Sequence, residues 1–128
     1  DLHQARWQKL VWNVPYNGLS VLLGASTTPL MADADSRELI KALMAEVVQG
    51  AIACGHDIPA GYADHLFMVT EKMPDYWPSM YHDFLHKRPL ELAAIYARPL
   101  AAAKAAGCEL PLIESLYRSL GFIDRRNR

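Results

Sequence analysis

Trp7-Gln8-Lys9-Leu10-Val11-Trp12-Asn13-Val14-Pro15-Tyr16-Asn17-Gly18-Leu19-Ser20 decides how the rest of this chain is read. Its polar residues Lys9, Asn13 and Asn17 recur at intervals of four. Residues four apart stand above one another on a helix, so the spacing predicts an α-helix with one ammonium and two carboxamides in a single ridge. Asparagine is a mediocre helix former, and two of them in line among Leu10, Val11, Trp12 and Val14 point to a purpose. One donor beside two groups that both donate and accept suits a small oxyanionic or carbonyl ligand. Trp7 and Trp12 would wall the ridge and lower the dielectric around Lys9, favouring it as an acid near neutral pH. The competing reading is a surface helix whose polar face happens to line up.

Working outward, this helix is expected from about residue 5 to residue 23, with a kink or break at Pro15, which lacks the backbone donor and crowds the carbonyl four residues back. Asn17 stays aligned with Lys9 only if the helix continues past it. Residues 24–34 read as a loop. Asp35-Ser36-Arg37-Glu38 has capping-box spacing. It opens a long helix whose apolar stripe is Leu39, Ile40, Leu43, Met44, Val47, Val48, Ala51 and Ile52. Gly55 ends that helix and Pro59 blocks a restart. Further helices are expected over residues 61–72, from Pro78-Ser79-Met80 to about Leu85, from Pro89 as first helical position to Ala106 with Pro99 inside, and from Pro111 onward. The echo between Gly55…Pro59 and Gly107…Pro111 reads as helix–loop–helix punctuation and not as a duplication. No alternating β-branched run interrupts the pattern. The expected fold is all-α, a bundle of six or seven helices forming one domain over residues 1–128.

The chain's 128 residues, 52% apolar and 21% charged, can bury a real core. A net charge of −1 gives no field that favours nucleic acid or an anionic membrane, and Arg125-Arg126-Asn127-Arg128 reads as a solvated tail. Cys54 and Cys108 have no CxxC spacing, and a reducing, cytoplasmic setting is expected. No apolar run approaches the roughly 18–20 residues that span a bilayer, and no signal-peptide pattern opens the chain. The start at Asp1 suggests a fragment or processed product. With no glycine-rich phosphate loop, the chain shows no nucleotide-binding half of its own.

Other residues invite chemistry. Ser79 would ordinarily cap a helix, and Glu91 would complement a positive helix end; alternatively, two helix N-termini converge on one anion. His82, Asp83 and His86 have ligand spacing, yet a third ligand and an HExxH are missing, so no metal site is expected and Asp83 is assigned to a neighbouring cation. A Ser79–His82–Asp83 triad is discounted because its members crowd one short helix without a nucleophile elbow.

Taken in order, Trp7-x-Lys9-x-x-x-Asn13-x-x-x-Asn17, Arg37 with Met44-x-Glu46 and Gly55, Pro78-Ser79-Met80-x-x-Asp83, Arg88-x-x-Glu91 and Gly107-x-x-x-Pro111 resemble the C-terminal domain of the ketopantoate reductase family over nearly the whole chain. The resemblance implies a helical domain that follows an N-terminal Rossmann domain binding NADPH, with a 2-oxo acid such as 2-dehydropantoate reduced in the cleft between them. It implies that Lys9 protonates or polarises the ketone oxygen, Asn13 and Asn17 orient substrate, Ser79 binds its carboxylate, and Glu91 holds the substrate hydroxyl and Lys9. Ala93 replaces an aspartate common in the family, Ala97 replaces a glycine, and Pro15-Tyr16 with Gly18 mark a divergent branch. The implied partners are the 2-oxo acid, the chain's own Rossmann domain and a second copy in a homodimer, with neither nucleic acid nor membrane. Two other readings stand beside this one. A non-catalytic helical interaction module would lack an upstream GxGxxG. A 6-phosphogluconate or hydroxyisobutyrate type of dehydrogenase would oxidise an alcohol.

Overall fold

The computed structural model describes residues 2–128. Seven α-helices follow one another: α1 Leu2–Leu23, α2 Thr27–Ala32, α3 Ala34–Ala53, α4 Tyr62–Lys72, α5 Ser79–Leu85, α6 Arg98–Ala105 and α7 Pro111–Asn127, with a π-helical turn at Ala93–Ala97 running into α6. No strand occurs among the described residues, and the all-α class is as expected.

α1 is the central helix. Val14 to Val21 are all buried, so its second half is enclosed on every side, as a helix in the middle of a bundle must be. α3 covers it with Ile40, Leu43, Met44 and Val47, and α7 with Ile113, Leu116 and Leu120. Pro15 does not break this helix, which runs unbroken from Leu2 and keeps Asn17 in line with Lys9. Burial of both flanking turns holds the backbone helical across the one missing donor, a case of packing overriding propensity.

Three boundaries differ from expectation. The loop expected at residues 24–34 contains α2, whose first turn tolerates Pro29 and is clasped from outside. Thr28 N–H donates to Asp75 Oδ1 (2.9 Å), the Ser26 hydroxyl donates to Asp75 Oδ2 (3.0 Å), and Thr27 and Tyr76 exchange bonds at 3.0 Å. The cap of α3 is Asp33 and not Asp35: its Oδ2 accepts from the amides of Asp35 (2.9 Å) and Ser36 (3.0 Å). Pro89 does not open the next helix, because helical backbone begins at Leu92. Pro99 offers no N–H to the Ile95 carbonyl and crowds it, and the wide turn upstream, where Arg98 N–H reaches back to the Ala93 carbonyl, accommodates that defect.

The two echoing helix ends share one motif. Gly55 and Gly107 sit at φ 83° and 80°, and His56 and Cys108 N–H donate to the carbonyls of Ala51 (2.9 Å) and Ala103 (2.8 Å), five residues back. This Schellman arrangement needs a left-handed residue, which glycine adopts without strain.

The clasp on α2 predicts an acid-sensitive term. The Thr28 amide, then the Ser26 hydroxyl, hold the Asp75 carboxyl below its ordinary 3.8. A depressed folded pKa contributes stability that is complete above the unfolded value and lost as pH falls through the folded one. Urea midpoints of wild type and Asp75→Asn should therefore differ by a constant amount from pH 7 to pH 5 and converge below pH 3.8. A gap that persists in acid would show that the carboxylate charge is not the cause.

Candidate active site

One groove of about 560 Å³ runs along the exposed flank of α1 and brings together Lys9, Asn13, Asn17, Ser79 and Glu91. These five residues come from α1, the start of α5 and the loop just before the π turn. Trp7, Leu10, Ile95 and Pro99 supply apolar wall, while His3, Arg6 and Arg98 line it as well.

Asn17 is the buried member, 3% exposed. Its Oδ1 accepts from the Met80 N–H (3.0 Å) and the Ser79 hydroxyl (3.3 Å), and its Nδ2 donates to Asn13 Oδ1 (3.3 Å). Asn13, Asn17, Ser79 and the Met80 amide thus form one hydrogen-bonded chain that fixes α5 against α1. Ser79 does not cap its own helix, whose N-terminus has no side-chain cap. The Met80 amide is taken by Asn17, so the alternative in which helix-end donors converge on an anion loses that donor. Asn13 keeps its amide N–H groups for the groove. Lys9, Ser79 and Glu91 are exposed.

The expected pair of tryptophan walls is not assembled. Trp7 lines the groove, but Trp12 points the other way, donating from Nε1 to Thr70 Oγ1 (3.0 Å) and stacking on Tyr16 with centroids 4.7 Å apart. The helix phase dictates this, since residues five apart face different sides.

Glu91 is held from both ends. Before it, Leu90 N–H donates to the buried Asp124 Oδ1 (3.0 Å), and Asp124 also pairs with Arg128 (3.3 Å). After it, the π turn carries Tyr96, fully buried, whose hydroxyl donates to the Val14 carbonyl (2.7 Å) and lies against the Gly18 N–H. Burial pushes that phenol well above its ordinary 10.0.

Sequence reasoning missed Arg6 and Arg98. Arg6 stands one turn before Lys9, and Arg98 two turns beyond Glu91, so i,i+3 and i,i+7 spacing could have found them. Their charge state matters. Arg37, Arg88, Arg118 and Arg128 are each paired with a carboxylate at 2.6–3.3 Å. Among the described residues no ion pair is formed by Arg6, Lys9 or Arg98, and Glu91 is the single carboxylate lining the groove. Three cations against one anion in a half-open cleft raise the local concentration of an anionic ligand.

The histidines of α5 are engaged locally. His86 Nδ1 lies 2.8 Å from the His82 carbonyl, and Asp83 pairs with Arg88 (3.0 Å) as expected. No group of three candidate metal ligands occurs among the described residues, and no helix there is long and apolar enough to cross a membrane.

Comparison with known proteins gives the same outline. The family described as Ketopantoate reductase PanE/ApbA C terminal matches residues 1–124. A 2-dehydropantoate 2-reductase of a Nostoc species is 48% identical over all 128 residues, which cover 40% of that protein. The 2-dehydropantoate 2-reductase structures of Geobacter metallireducens (43% identity, TM-score 0.90, 94% of this chain and 41% of that one) and Methylococcus capsulatus (32%, 0.93, 99% and 41%) superpose closely. A dimeric ketopantoate reductase of Staphylococcus aureus is 26% identical with a TM-score of 0.88, covering 100% of this chain and 45% of that one. The chain therefore spans about two fifths of the length of its curated relatives.

Proposed function

Because this chain belongs to the family of ketopantoate reductase C-terminal domains, we propose that it is the substrate-binding half of an NADPH-dependent reductase that converts a 2-oxo acid such as 2-dehydropantoate to the 2-hydroxy acid. The observation that carries this reading is the single groove in which Lys9, Asn13, Ser79 and Glu91 meet beside uncompensated arginines. Its charge suits a carboxylate substrate, and its ammonium suits a carbonyl on the way to an alkoxide.

NADPH, when bound, supplies the hydride that adds to the substrate carbonyl carbon. This chain's fit to it is confined to the open mouth of the groove, where exposed Lys9 and Glu91 can face a nicotinamide; an N-terminal Rossmann domain of the same protein would hold the rest. As the carbonyl π bond breaks, negative charge grows on oxygen. The Lys9 ammonium stabilises it and donates its proton, which completes the hydroxyl. Asn13 offers amide donors to the same oxygen or its neighbour. Ser79 turns its one proton from Asn17 Oδ1, a long 3.3 Å bond, to the substrate carboxylate. Asn17 orients substrate through Ser79 and Asn13 more than by direct contact, since both ends of its amide are engaged. Glu91 accepts from the substrate hydroxyl and from Lys9. Arg98 adds attraction for the carboxylate.

The test is NADPH oxidation by the full-length protein with 2-dehydropantoate and other branched 2-oxo acids. Turnover of a 2-oxo acid supports the reading; no turnover with any of them overturns it. With an active enzyme, Arg98→Ala should raise KM for the 2-oxo acid about tenfold, from the loss of one charge-assisted contact, and kcat should change less. A cytoplasmic setting goes with this chemistry. A homodimer would use apolar surface such as Phe122, 57% exposed beside a shallow hollow lined by Val21, Phe84 and Ile123; sedimentation velocity reads it.

A further inference from the structure

We infer that Tyr96 is a positioning residue for this reaction, whose hydroxyl sets the alignment of Glu91 with Lys9 and Asn13; the inference rests on the reductase reading.

The hydroxyl has an unusual place. It donates to the Val14 carbonyl at 2.7 Å and sits directly over Gly18 of α1. It thus fastens the π turn to the backbone of α1. The Val14 carbonyl lies between Asn13 and Asn17, in the turn that also carries Pro15. Upstream are Lys9 and Asn13. Downstream is Asn17, which holds Ser79 and the start of α5. Tyr96 itself belongs to the π turn five residues after Glu91. One oxygen therefore ties the segment that follows Glu91 to the stretch of α1 between Asn13 and Asn17.

Gly18 makes room for it. A methyl at that position would overlap the Tyr96 hydroxyl and come within 2.8 Å of Leu116 Cδ2. The wide π turn delivers the ring, because it shifts the residues before Pro99 relative to α6. Gly18, Pro15, Pro99 and Tyr96 are then one device. Without the hydroxyl, the π turn loses its anchor on α1, and Glu91 shifts relative to Lys9 and Asn13. Misplacement of reacting groups by an ångström lowers rate far more than it weakens binding.

Tyr96→Phe in the full-length enzyme tests this against a control on the opposite side of α1. Thr70→Val removes the bond from Trp12 Nε1 and a bond to the Leu66 carbonyl, away from the groove. Tyr96→Phe should lower kcat with 2-dehydropantoate by about tenfold or more, with KM within about threefold of wild type. Thr70→Val should lower the melting temperature comparably and leave kcat unchanged. An active wild type whose Tyr96→Phe variant keeps its kcat, or matches the control, overturns the inference alone. A wild type inactive toward every 2-oxo acid overturns the functional reading, and the inference with it.

Discussion

Replacing Lys9 by alanine in the full-length protein should reduce kcat by about 10²–10⁴, the range for losing a positioned general acid, while the melting temperature stays within a degree or two. The two halves of this expectation have separate causes. Lys9 is exposed and forms no ion pair among the described residues, so its removal leaves no buried group unpaired; such surface changes fall within about 0.5 kcal/mol. On the proposed mechanism the loss of rate would arise because the alkoxide formed by hydride addition would have no other ammonium in the groove. Arg6 and Arg98 carry charge, but a guanidinium does not release its proton. Lys9→Arg should therefore recover part of substrate binding, seen as KM, and little of kcat. Turnover retained in Lys9→Ala would remove the acid from the mechanism, and a collapse in stability would mean that the ammonium holds the bundle together.

Much of the site was legible because it depends on local periodicity. The four-residue spacing of Lys9, Asn13 and Asn17 needs nothing but an unbroken helix, and α1 supplies it. What the spacing could not reveal is why α1 survives Pro15, since that depends on burial by α3 and α7, elements far away in sequence. The same limit explains the other misses. α2 was hidden because its cap is Asp75, some 47 residues downstream, whereas a local reading saw only Ser, Thr and Pro in a loop. Asp35 stands in for Asp33 as the cap of α3 in the sequence reading because both satisfy the residue preference, and only the observed backbone, in which Asp33 is the cap, chooses between them. Tyr96 drew no notice, since no spacing rule places a phenol against the backbone of another helix. Trp12 was assigned to the groove by proximity in sequence, although helix phase alone would have sent it to the far side.

The start of α7 is the clearest case of a helix end completed from a distance, and it carries the largest expected change in stability. Pro111 opens this helix, and the residue before it, Leu110, has no side chain that could cap it. Glu46 of α3 does so instead, 7% exposed: Oε2 accepts from the Leu112 N–H and Oε1 from the Ile113 N–H, both at 3.0 Å. A carboxylate there also complements the positive end of the helix dipole. Glu46→Ala leaves two first-turn amides without a partner, one of them buried. At about 1.5–3 kcal/mol for each charge-assisted bond, and with water able to reach the Leu112 side, the variant should lose roughly 2–4 kcal/mol. Glu46→Gln retains one acceptor and should lose about half as much. Urea denaturation of both variants would show lower midpoints at an unchanged slope. A Glu46→Ala midpoint equal to wild type would mean that water caps α7 as well as the carboxylate does. The effect should also reach the groove, because α7 carries Asp124, which holds Leu90 just ahead of Glu91, and Leu116, which packs beside Gly18. Amide exchange at Leu90 should therefore accelerate in Glu46→Ala by at least the factor that the global stability loss dictates. Exchange slower than that would uncouple the Glu91 loop from α7.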